Sequence, residues 1–235
     1  MGRAFEYRKE RKMRRWGAMA KAFTRIGKDI AIAVKAGGGD PDTNARLRAL
    51  INNAKAANMP KATVEAAIKK ATSKDTAGYE EQTYEGYGAH GVAIVVDTAT
   101  DNPTRTIANL RAIFNKNGGT IGTSGSVEYM FKKKAMFKFN KGNWNLEELE
   151  LELIDGGLTE ITEEDGLVTA YAEFHDFGNL AKALEAKNIE VTESGYDKTP
   201  DFYKELGDAE AEEVIKLIEK LEEDDDVQQV FHNMK

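Results

Sequence analysis

The chain contains no cysteine, so disulfide bonds, thiolate metal centres and thiol redox chemistry are excluded. Histidine is nearly as scarce: His90, His175 and His232 lie far apart along 235 residues, which argues against a histidine-built metal site, and no cofactor is expected. No apolar run reaches the roughly 18 residues of a membrane span. The first twenty residues lack the apolar core of a secretory signal and, with Glu6 and Glu10 and no serine, depart from a mitochondrial presequence. The sequence therefore predicts a cytoplasmic protein with no membrane partner.

What is present is charge, unevenly placed. Residues 1–75 carry 18 Lys+Arg against 7 Asp+Glu, whereas residues 76–235 carry 15 against 33. A basic end joined to an acidic body is the footprint of a chain that grips a polyanion at one end. Apolar residues make up 41% of the chain, enough for real cores, and the length suits two or three small domains.

Within the basic end, Phe23, Ile26, Ile30, Ala33 and Val34 recur at helical spacing and predict an amphipathic helix over 21–35, with Lys21, Arg25, Lys28 and Lys35 on the opposite face. Gly37-Gly38-Gly39-Asp40-Pro41 ends it, and Asp40 with Pro41 reads as the cap and first turn of a second helix carrying Leu47, Leu50, Ile51 and Ala54. After Asn58-Met59-Pro60, Val64, Ala67, Ile68 and Ala71 predict a third. Three such helices make a small domain over 1–75. Its candidate nucleic-acid contacts are Arg8, Lys9, Arg11, Lys12, Arg14, Arg15, Lys21, Arg25, Lys28, Lys35, Arg46, Arg48, Lys55 and Lys61.

The body reads as α+β. Val92–Val96 predicts a buried strand, Ile107, Leu110 and Phe114 a helix, and Ser126–Phe131 and Ala135–Phe139 two strands joined at Lys132-Lys133-Lys134. A helix with Val214, Leu217, Ile218 and Leu221 and a strand over 227–231 complete a βαββαβ order at the far end of the chain. The stretch between repeats the grammar: helices around 146–154 and 177–184, and strands around 167–174 and 189–196. The predicted fold is an N-terminal three-helix domain followed by two ferredoxin-like α+β domains, the third inserted in the second, with domains at 1–75, 79–140 plus 207–235, and 141–206. From residue 141 onward 27 acidic residues face 8 basic ones, a solvated surface or one for a basic protein partner.

Motifs of chemistry are few. Gly86, Gly88 and Gly91 satisfy G-x-G-x-x-G, but they precede the strand at 92–96 instead of following one, so a dinucleotide site is not expected. The segment 115–131, NKNGGTIGTSGSVEYMF, forms a loop rich in glycine and hydroxyl groups; Gly122, Thr123, Ser124, Gly125 and Ser126 are its candidate functional residues, either as a backbone cradle for phosphate or as a long turn. No carboxylate is paired with a nucleophile or set at metal-ligand spacing, and no enzyme is expected.

The strings GGGDP, RLRALINNAKAANMPKATVEAAIKKAT, YEGYG and NKNGGTIGTSGSVEYMF resemble the YebC family, in order and over nearly the whole chain from Phe23. The resemblance implies three domains with the third inserted in the second. It also implies a regulator of gene expression, either a DNA-binding transcriptional regulator or a ribosome-associated factor that helps translation of proline-rich stretches. Two departures stand out: the usual GHSKW-like opening is replaced by GRAFEYRKERKMRRW, and Ala89-His90 stands where Pro-Gly is more usual. The expected partner is nucleic acid, either ribosomal RNA in the ribosome or DNA. The acidic body is poorly suited to hugging a duplex, which favours structured RNA beside basic proteins.

Overall fold

The computed structural model describes the backbone of residues 3–73 and 78–235 and the side chains from Met19 onward. It divides into two compact units, Met1–Glu80 and Glu81–Lys235.

The first unit holds three helices, α1 (Arg3–Gly37), α2 (Ala45–Ala56) and α3 (Lys61–Thr72). Ile30, Ala33, Val34, Leu47, Ala54, Met59, Val64 and Ala71 form its core, so the apolar stripe read from each helix faces inward. Helix α1 ends at Gly38, whose φ of 86° is left-handed and whose N–H returns to Val34 O. The start of α2 differs from expectation. Asp40 and Pro41 belong to a separate turn, with the Asp42 N–H donating to Asp40 Oδ1 at 2.9 Å, and the cap is Asn44. Its Oδ1 accepts from Leu47 N at 3.0 Å while Nδ2 donates to Ala33 O and Gly38 O at 2.8 and 2.9 Å. One buried amide thus caps α2 and satisfies free carbonyls at the end of α1.

The second unit contains two four-stranded sheets. The first, ordered β3-β1-β2-β8, comprises β1 (Glu80–Tyr87), β2 (Ala93–Thr100), β3 (Thr120–Ile121) and β8 (Val227–His232), with helices α4 (Pro103–Lys116) and α7 (Asp208–Glu222). Every residue of β2 is buried. Ile94 and Val96 meet Leu110, Phe114, Leu217 and Leu221 of the helices, while Ala93 and Val95 on the other face meet Val127, Phe131 and Phe231. This two-sided burial is why 92–96 is an unbroken apolar run.

The second sheet comprises β4 (Phe131–Asn140), β5 (Leu158–Glu164), β6 (Leu167–Glu173) and β7 (Val191–Pro200), with α5 (Leu146–Leu153) and α6 (Phe177–Ala186) on one face. Its order, β5-β6-β4-β7, is fully antiparallel and completes a βαββαβ series within 131–200. The α+β class read from the sequence stands, but the strand assignment changes. The two strands expected on either side of Lys132–Lys134 are one strand, β4, preceded by a short 3-10 turn at Glu128–Met130. That strand belongs to the second sheet, where Phe137 pairs with Ala170 on one side and Ser194 on the other. Residues 131–140, expected in the first sheet, therefore belong to the second. The reason is local: three lysines contain no turn former, and Phe131, Ala135, Phe137 and Phe139 share one face with Lys133 alone interrupting it. Strands β1, β3 and β5 were not anticipated.

Candidate nucleic-acid interface

Along the basic face of α1 the cations divide. Lys21 and Lys35 are exposed and Arg25 is half-buried, but Lys28 is only 7% exposed, with its ammonium 5.2 Å from the centre of the Tyr79 ring. A Cβ placed on Gly78 would meet Lys35 Nζ at 2.5 Å, so residues 78–79 return across this stretch of α1. Lys28 is thus removed from the exposed phosphate-contact set, because chain from beyond α3 covers it. Burial of the four-carbon stem with the charge against an aromatic ring is a stable arrangement for lysine.

On α2 and α3, Arg46, Arg48, Lys55 and Lys61 are exposed. Arg48 donates from Nε to Pro41 O at 3.1 Å and from a terminal nitrogen to Asp42 O at 2.8 Å, so it braces the turn before α2. Lys61 forms a solvent-exposed pair with Glu65 at 3.6 Å. Sequence reasoning passed over Lys69 and Lys70, exposed in the last turn of α3, where cations also suit the helix dipole. The side chains of Arg8, Lys9, Arg11, Lys12, Arg14 and Arg15 lie outside the described residues.

The glycine-rich loop is organised by a residue forty positions earlier. Glu85, 3% exposed, accepts from Gly125 N at 2.5 Å and, through its other oxygen, from Val127 N and Glu128 N at 2.7 Å each. Gly122 N donates to Glu85 O at 2.8 Å, and Gly125 adopts φ 82°, the left-handed conformation that glycine permits. The N–H groups that could have cradled a phosphate at this end of the loop therefore already hold a carboxylate from the same chain. Burial works against the Glu85 charge, yet the three N–H donors and the nearby Lys198 ammonium win, and its carboxyl is held below the usual range. Thr123, Ser124 and Gly125 remain exposed.

A second buried charge joins the two sheets. Lys198 of β7, 6% exposed, donates to Asp97 of β2 and to Glu128, both at 2.9 Å. Tyr196 and Thr83 donate to Asp97 at 2.8 and 2.7 Å, so this carboxylate is fully engaged. Among the described residues no group of three or more His, Cys, Asp or Glu could hold a metal ion. No helix among them is long and apolar enough to cross a membrane.

Residues 3–74 match the model of the TACO1/YebC protein N-terminal domain, and residues 79–234 that of the TACO1/YebC second and third domain. The chain belongs to the TACO1/YebC family. Its relatives include a probable transcriptional regulatory protein of Flavobacterium johnsoniae, 57% identical over 100% of this chain and 99% of that one. A protein of the same description from Sulfurimonas denitrificans is 51% identical, with both chains fully covered. Among solved structures, a conserved hypothetical protein of Aquifex aeolicus superposes with a TM-score of 0.86 at 34% identity, covering 92% of this chain and 90% of that one.

Within this TACO1/YebC chain, Glu85 was the residue least visible in sequence. It sits in the string YEGYG that carries part of the family resemblance, but nothing local tells a loop-binding carboxylate from an exposed one. Its one signal is position: Glu85 and Gly86 are the buried pair of β1, a strand whose first four residues are exposed.

Proposed function

We propose that this TACO1/YebC chain is a non-enzymatic, nucleic-acid-binding regulator of gene expression that acts in the cytoplasm as a ribosome-associated translation factor, holding ribosomal RNA through the exposed cations of its N-terminal helices. The observation that carries this reading is the charge division: 18 Lys+Arg against 7 acidic residues over 1–75, beside a body with 33 acidic residues against 15 basic. Phosphate neutralisation by Lys21, Arg46, Arg48, Lys55 and Lys61 supplies affinity without sequence preference. A strongly acidic body repels a long bare duplex, but it suits a ribosomal surface where basic proteins flank the RNA. Help at proline-rich stretches is the specific task that the family resemblance assigns to such a factor.

A second reading, a DNA-binding transcriptional regulator, is favoured by the names of the relatives, which are probable transcriptional regulatory proteins. One salt titration separates the two. Co-sedimentation with purified ribosomes is compared with binding to random-sequence duplex DNA, using wild type and a Lys21→Ala/Arg46→Ala/Lys55→Ala variant. Ribosome binding that persists at physiological salt in wild type and falls in the variant, while duplex binding collapses, is the expected result. Tight duplex binding with a sequence preference, and no ribosome binding, overturns it.

A further inference from the structure

Among the described residues three aromatic rings are more than half exposed: Tyr129 at 74%, Phe202 at 74% and Tyr203 at 56%. All three leave the same end of the second sheet. Tyr129 lies in the turn that feeds β4, and Phe202 and Tyr203 follow β7; Phe131 pairs with Pro200, and Asp201 N donates to Met130 O at 2.8 Å. Tyr203 also lies near the hydroxyl of Tyr171 on β6, whose pKa is pushed up first by burial and then by Asp197, Glu160 and Tyr203.

The charge around these rings departs from the rest of the unit. Segments 128–134, 197–205 and 231–235 contain six lysines and four carboxylates, inside a body in which acids outnumber bases by more than two to one. Lys133 stands over the Phe174 and Tyr196 rings at 4.3 and 4.1 Å, and Lys204 donates to His90 O, so these two lysines brace the frame. Lys132, its side chain 70% exposed, pairs with Asp201 at 2.8 Å beside the rings.

A single exposed ring is ordinary on a protein surface. Three at one strand end, with the exposed Lys132 beside them in an otherwise acidic unit, match what an unpaired nucleic-acid strand offers: π faces to stack and phosphates to neutralise. A duplex keeps its base faces to itself.

We propose that Tyr129, Phe202 and Tyr203 form a stacking site for unpaired bases of single-stranded RNA, with Lys132 at the phosphates. The inference deepens the RNA reading above and rests on it.

The test uses the full-length protein and a mixed-sequence 12-nucleotide RNA containing 4-thiouridine, beside a DNA strand of the same sequence and an RNA duplex. A Tyr129→Ala/Phe202→Ala/Tyr203→Ala variant is expected to lose about tenfold or more in single-strand RNA affinity. Its slope of log affinity against log salt stays that of wild type, because no cation is removed, and duplex binding is unchanged. The Leu triple variant, which keeps apolar bulk without the π faces, is expected to lose comparably. Photocrosslinks in wild type are expected at 129 and 202–203. Unchanged affinity in the Ala variant, full affinity in the Leu variant, or crosslinks confined to the N-terminal helices would each overturn the stacking site while leaving the N-terminal reading intact. Equal affinity for the DNA strand would overturn the commitment to RNA. A wild type that binds no RNA, duplex or ribosome would sink the proposed function itself.

Discussion

Glu85 gives up its water shell to serve three backbone N–H groups at once, and that exchange fixes the shape of the glycine-rich loop. Replacing it with glutamine keeps one acceptor oxygen but removes the charge and points an NH2 group at donors. Glu85→Gln is expected to cost about 1–3 kcal/mol at pH 7, read from the urea midpoint. Because the folded carboxyl is held below its ordinary range, the stability it contributes is fully present above about pH 4.3 and drains as the pH falls below that toward the lowered folded value. The gap between wild type and Glu85→Gln should therefore narrow in acid; a gap that widens there would contradict this account. His232 adds an earlier step. Burial lowers its pKa more than its backbone hydrogen bond and the nearby Glu222 and Asp197 raise it, so its stability is present above about pH 6.5 and is lost as the pH falls through that value toward the folded one. Wild-type stability should begin to fall near pH 6.5, well before the carboxylates titrate.

At the scale of elements, two polar residues tie neighbours together. Asn44 caps α2 and bonds the end of α1, so Asn44→Ala removes a cap and orphans two carbonyls. The expected loss is about 1–2 kcal/mol, measured as unfolding of the helical unit by circular dichroism. Asn44→Asp, which keeps the cap acceptor and loses both donors, should fall between. Lys198 is the larger case. Lys198→Met leaves Asp97 buried beside Glu128 with no cation, and about 3–5 kcal/mol should be lost from the second unit. If the pair rather than the methylene packing is responsible, Lys198→Met/Asp97→Asn should recover a good part of that loss; a double variant as unstable as the single would sink the idea.

The helices were legible because each carries an unbroken 3.6-residue stripe, and that stripe became the core of the first unit. What failed was information stored far away in sequence. Lys28 sits on the polar side of its own helix, yet Tyr79 covers it. The Lys132–Lys134 run looks like a connection until β7 pairs with all of it and β6 joins at Lys134. The glycine-rich loop has the composition of an anion cradle, and the anion it holds comes from Glu85. In each case the deciding partner lies forty or more positions away or in another strand, where no local period can point to it.

At the scale of the whole molecule, the division into two compact units predicts that residues 79–235 fold without the helices, giving one cooperative urea transition. Such a fragment should also lose the steep salt dependence of duplex or ribosome binding, because most of the chain's surplus cations are gone. A fragment that keeps the full-length slope would place the polyanion contacts in the wrong unit.

The pairing of β2 with β8 has a consequence for how the protein is made. Ile94 and Val96 lie against β8, whose residues 227–232 are made more than a hundred residues after β2, while all four strands of the second sheet lie within 131–200. During translation the later sheet can close first, and the earlier one must wait, with its most apolar strand lacking a neighbour on one side, until β8 has been made. A premature stop at residue 226 would thus strip the edge from a strand made more than a hundred residues earlier, and the resulting chain would be a substrate for chaperones and proteases.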